Sequence, residues 1–158
     1  MAVSIDDERT YLCDPATLLA TFKDPAFQRA RSAHLGTLAP VCERNGDTLV
    51  LTETRNTGFG PHVYVTRLTT RWTGMEARWE LERQQGPGDA SAKGTLRIEP
   101  ARAGSRLILE GVLEIRVPIV SGLIERLARR GLVEVRAREA RFVSDWLSKS
   151  PADRPGFR

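Results

Sequence analysis

The fold is decided by Ser105–Ser148, SRLILEGVLEIRVPIVSGLIERLARRGLVEVRAREARFVSDWLS. In its first part Leu107, Leu109, Gly111, Leu113 and Ile115 occupy alternate positions, a period of two that sets them on one face of a strand. Pro118 lacks the amide hydrogen a ladder needs and ends that strand. Beyond it the period lengthens. Leu123, Ile124, Leu127, Leu132 and Val135, then Phe142, Val143, Trp146 and Leu147, recur at helical spacing, and Ser121 is placed to cap the helix they define. A long strand thus feeds a long helix that reaches about Ser148. Gly131 costs that helix about 1 kcal/mol relative to alanine, and a bend following a curved sheet would account for it.

Working back from Ser105, period-two segments fill the middle of the chain. Lys93–Glu99 and Met75–Gln85 each alternate, with Met75, Ala77, Trp79 and Leu81 on one face of the latter and Glu76, Arg78, Glu80 and Glu82 on the other. Thr73-Gly74, Gly86-Pro87-Gly88-Asp89 and Ala103-Gly104 separate the strands. Val63–Trp72 is β-branched and aromatic, and Asn56–Pro61 before it is a glycine-bearing loop. Leu38–Arg44 and Thr48–Arg55 flank Asn45-Gly46-Asp47, whose Asn-Gly accepts the positive φ angles of a tight hairpin turn. Near the N-terminus, Asp14-Pro15 and Asp24-Pro25 each open a helix, the first to about Lys23 and the second over Ala26–Leu35, where Gly36 stops it. Ser4–Cys13 reads as a further strand, despite its acids.

The composition excludes several classes. With 41% hydrophobic and 28% charged residues the chain is ordinary globular protein. Its net charge of +4 is spread by interleaving, as in Arg78, Glu80, Glu82, Arg83 and again in Glu110, Glu114, Arg116, so no nucleic-acid partner is expected. Cys13 and Cys42 fit neither a disulfide framework nor a zinc site. His34 and His62 stand at no metal-ligand spacing, Gly58-Phe59-Gly60-Pro61 lacks the context of a phosphate loop, and no nucleophile elbow exists, so neither metal nor cofactor is expected. The N-terminal MAVSIDDERTYL is not a secretory signal and no run of about 18 apolar residues could span a bilayer, which makes the cytoplasm the expected location.

A strand, two short helices, an antiparallel meander and one long helix is the order of the START-like, or SRPBCC, superfamily. The chain resembles it from about Ser4 to Leu147, most distinctively in Asp14-Pro15-Ala16, in Phe22-Lys23-Asp24-Pro25-Ala26-Phe27, and in the run Gly111–Glu125, which is similar to one of its families of unknown function. The resemblance implies an α+β helix-grip fold: a curved antiparallel sheet of about six or seven strands around the C-terminal helix, in a single domain over 1–150 with a flexible tail at 151–158. It also implies a cavity for an apolar ligand between helix and sheet. A carrier or sensor of a lipid-like molecule is the function expected first, because no catalytic motif stands out; a polyketide cyclase or aromatase, needing only a shaped cavity and an acid–base group, comes second. A protein-interaction module with a filled groove comes third.

Candidate wall residues follow from the alternation. They are Trp79, Leu81, Leu96, Ile98, Leu109 and Leu113 from the sheet and Leu127, Val135 and Phe142 from the helix. Arg67 and Arg71 share the parity of Val63 and Val65; inward, either would meet a ligand carboxylate or phosphate through paired hydrogen bonds. If Tyr64, Leu68 and Trp72 face inward instead, both arginines are solvated. Glu53 and Arg55 pose the same question on the preceding strand.

Overall fold

The computed structural model describes residues 1–56, 63–86, 88–116 and 122–154, of which 122–124 and 151 are described in backbone only. Pro118, Ser121, His62 and nearly all of the Asn56–Pro61 loop lie outside the described residues, as does the end of the tail.

The elements follow the expected order. Strand β1 (Ala2–Tyr11) leads to α1 (Pro15–Phe22) and α2 (Pro25–His34), then β2 (Leu38–Asn45), β3 (Thr48–Asn56), β4 (Val63–Thr73), β5 (Glu76–Gln85), β6 (Asp89–Ala101), β7 (Gly104–Arg116) and α3 (Gly122–Ser148). A short 3₁₀ turn, Pro151–Asp153, follows, and Arg154 lies over the ring of Trp146. All neighbouring strands are antiparallel in one seven-stranded sheet of order β1-β7-β6-β5-β4-β3-β2, the curved helix-grip arrangement.

The local signals act as their chemistry requires. The Asp14 carboxylate accepts from the amide of Thr17 (2.6 Å) and Asp24 from that of Ala26 (2.9 Å), so both helices start on capped amides with proline in the first turn. Gly36 and Gly46 have φ of +95° and +61°, which ends α2 and turns the β2–β3 hairpin. Strand β6 is longer than the alternation predicts, beginning at Asp89 rather than Lys93. Ala90, Ser91 and Ala92 carry little strand propensity, and their pairing with Ile115, Glu114 and Leu113 overrides it.

Register places the buried side chains in rows across the concave face. One row runs Ile5, Gly111, Gly94, Trp79, Thr70, Leu49, and its neighbour runs Val3, Leu113, Ala92, Leu81, Leu68, Leu51, Cys42. Gly111 makes room for Trp79, and Gly94 for the neighbouring backbone of Glu110. A Cβ on Gly111 would stand 2.5 Å from Cζ2 of that indole and 2.6 Å from the carbonyl oxygen of Lys93. The indole lies over the β6–β7 pair and donates from Nε1 to the Thr95 carbonyl (3.2 Å).

The helices close the concave side unevenly. α1 rests on β6 and β7, α2 on β2 and β3, and α3 on β1 and α2. Phe27, fully buried, joins them: its ring centroid is 5.3 Å from Phe22, 5.9 Å from Phe142 and 5.4 Å edge-on from Trp146. A buried carboxylate adds a second tie. Glu53 of β3 accepts from Ser32 Oγ (2.7 Å), Thr37 Oγ1 (2.9 Å) and Arg55 Nη2 (3.2 Å), fastening α2 to the sheet. The hairpin residue Glu53 thus faces inward, while Arg55 reaches the α2 end through the carbonyl of Leu35 (2.8 Å).

Burial works to raise the Glu53 carboxyl, and the charge of Arg31 with the two hydroxyl hydrogen bonds overrides it, leaving it below its ordinary value. A carboxylate lowered on folding stabilises the native state above its unfolded value and loses that contribution as pH falls through the folded one. Urea unfolding of Glu53→Gln should therefore show a loss of about 1–3 kcal/mol at pH 7, and the gap to the wild type should narrow in the acid range as wild-type Glu53 protonates. The glycine rows give a second expectation. Gly111→Ala should cost about 1–3 kcal/mol by overpacking against Trp79, whereas Gly131→Ala, whose Cβ would meet nothing within 4 Å, should be neutral or gain up to about 1 kcal/mol.

Candidate functional site

The uneven closure leaves a cavity of about 260 Å³ between the concave face, α2 and α3. It exceeds the roughly 150 Å³ apolar cavity that suffices to take up benzene. Most of its wall is aliphatic or aromatic: the sheet contributes most of the two rows described above, all but Val3, Gly94 and Gly111, and α3 contributes Leu132.

Five expected wall residues come together there: Trp79, Leu81, Leu96, Leu109 and Leu113. Ile98 is buried in the core beyond the cavity. Phe142 belongs to the aromatic cluster around Phe27, where His34 stacks on it at 5.0 Å. Leu127 and Val135 require correction, being 59% and 37% exposed. The inward stripe of α3 is Leu132, Arg136, Glu139, Val143, Trp146, spaced four, three, four and three residues apart, and Leu127 and Val135 fall off it. Arg67 and Arg71 require the same correction. Leu68, Thr70 and Trp72 take the inward parity of β4, because Leu68 stands opposite Leu51 and Leu81, and Trp72 opposite Ala77. Arg67 is left on the convex face, paired with Glu82 at 3.1 Å, and Arg71 is exposed on the same face.

Polar residues do enter the wall, from elements that sequence reasoning passed over. Gln28 and Arg31 come from α2, Arg136 and Glu139 from α3. The three charged ones belong to a chain of alternating charge. Arg9 Nε lies 3.2 Å from Asp7; Arg136 donates to Asp7 Oδ2 from Nε (3.1 Å) and Nη2 (3.0 Å) and to Glu139 Oε2 from Nη1 (2.6 Å). Arg31 Nη1 stands 3.5 Å from Glu139 Oε1, its charge acts on Glu53, and Glu53 pairs with Arg55. Every carboxylate in the series has a guanidinium on each side. Burial opposes the charge on Arg136, but Glu139 and Asp7 more than compensate and raise it above its ordinary value. Burial, reinforced by Glu139, likewise pushes the nearby Tyr11 phenol up, which keeps it protonated. The signal for this set was available: Arg136 and Glu139 occupy two consecutive places in an otherwise apolar helical stripe.

The same architecture recurs among solved structures. TTHA0849 from Thermus thermophilus matches with a TM-score of 0.71 at 18% identity, over 90% of this chain and 95% of that one. The Zhui aromatase/cyclase from Streptomyces sp. R1128 matches at 0.69 and 10% identity, over 92% and 93%. The di-domain ARO/CYC StfQ from the steffimycin biosynthetic pathway matches at 0.70 and 15% identity over 91% of this chain, which spans 50% of StfQ. At these identities the likeness is one of fold, the START/SRPBCC-like fold. No curated protein matches the sequence. A family model described as "Protein of unknown function (DUF2505)" matches residues 6–147, and the chain belongs to that family.

Proposed function

We propose that this protein binds a small apolar molecule in the cavity between α3 and the concave face and acts as its carrier or sensor. The observation that supports this reading is the cavity itself: a largely aliphatic, partly enclosed space in a chain with ample apolar residues to fill it. A void of that size forfeits packing energy, which an occupant would restore. The same cavity speaks against a module whose groove is plugged by its own side chains. Unpaired Cys13 and Cys42 agree with a reducing compartment such as the cytoplasm.

A second reading is an aromatase/cyclase-like enzyme, supported by two structural neighbours described in those terms and by Glu139 in the wall. The carrier reading is preferred because Glu139 is bound to Arg136 and ion-paired with Arg31, and proton transfer would have to break these contacts.

The test is a fluorescence titration with the neutral probe N-phenyl-1-naphthylamine. Saturable binding at one site per chain is expected, and Ala92→Phe, which fills the row between Leu81 and Leu113, should weaken it at least about tenfold while leaving the circular dichroism spectrum unchanged. Equal binding by the two proteins would place the probe elsewhere and overturn the reading.

A further inference from the structure

The arginines of the charge series are not equally committed. Arg136 donates from all three guanidinium nitrogens to carboxylates. Arg31, equally buried at 12% exposure of its side chain, donates in a hydrogen bond only from Nε, to Oε1 of Gln28 (3.0 Å). Its Nη1 approaches Glu139 at ion-pair distance, 3.5 Å, and neither terminal nitrogen is hydrogen-bonded to any described residue. Arg31 also lines the cavity. Its two-pronged end therefore has hydrogen bonds left to give, and an acceptor entering the cavity would take them up.

The chemistry of the guanidinium indicates what would engage it. An amine entering beside Arg31 would meet a like charge and bring no acceptor. A carboxylate would accept from both prongs, its two oxygens matching the parallel N–H bonds that a guanidinium end presents. Most of the wall away from this polar side is apolar, which suits an occupant whose remainder is largely hydrocarbon.

Building on the proposed ligand cavity, we propose that its occupant is an apolar molecule bearing a carboxylate, and that Arg31 pairs with that carboxylate. The arginine expected on β4 from the sequence is thus replaced in this role by one on α2.

Calorimetric titration of the purified full-length chain at pH 7 with two matched probes, decanoate and decan-1-ol, tests this. The wild type should bind decanoate at least about tenfold more tightly than the alcohol, the usual scale of a charge-assisted hydrogen bond. Arg31→Met should abolish that preference while retaining affinity for decan-1-ol, and Arg31→Lys should restore part of it. Should Arg31→Met fail to fold, the wild type with carboxyl-¹³C decanoate decides: the bound carboxyl should titrate at lower pH than the free acid, and an unshifted titration overturns the pairing. Equal affinity for the two probes leaves the cavity standing and overturns the role of Arg31. Binding of neither overturns the cavity reading and this inference with it.

Discussion

Arg136 is the residue on which the arrangement of the molecule turns. It sits in the inward stripe of α3, where a leucine would drive the helix onto the centre of the sheet, and it reaches Asp7 on edge strand β1 while holding Glu139 one turn along. Two charges on that stripe must be paired where partners exist, at β1 and at Arg31 of α2, because an unpaired buried charge is too costly to leave. The helix is consequently seated on the rim of the sheet, against β1 and α2. The space left between the helix and the concave face is the cavity.

The remaining architecture accommodates that seat. Phe27 packs with Phe22, Phe142 and Trp146 and so seals the end of the concave side where the C-terminal turns of α3 meet α1 and α2. Trp79 lies over Gly111 rather than standing up from the sheet, which keeps a large side chain in the wall without filling the space above it. Glu53 anchors α2, and with it Arg31, to β3. The residues proposed to bind a ligand therefore also help hold the fold, and the series from Arg9 to Arg55 links four elements of the fold through one side of the cavity.

Much of the fold was legible because strands and helices differ in period. The alternation through Trp79, Leu81, Leu109 and Leu113 gave both the strands and their inward faces, and Asp14-Pro15 and Asp24-Pro25 marked both short helices. The parity of β4 was not legible, since Val63 and Val65 on one face compete with Leu68 and Trp72 on the other. Only the register against Leu51 and Ala77 decides between them, and register is a property of pairs of strands. The polar side of the cavity escaped for a different reason. An arginine and a glutamate in a long helix usually face water, and their burial depends on Asp7, which is 129 residues away in the chain.

Entry of an apolar molecule into the space beneath α3 is tested most directly by intermolecular NOEs between N-phenyl-1-naphthylamine and methyl-labelled leucine and valine residues. A probe bound there should show NOEs to the methyls of Leu68, Leu81, Leu113 and Leu132, which line the cavity. NOEs confined to the exposed Leu12, Leu38, Leu127 and Val133 would contradict it.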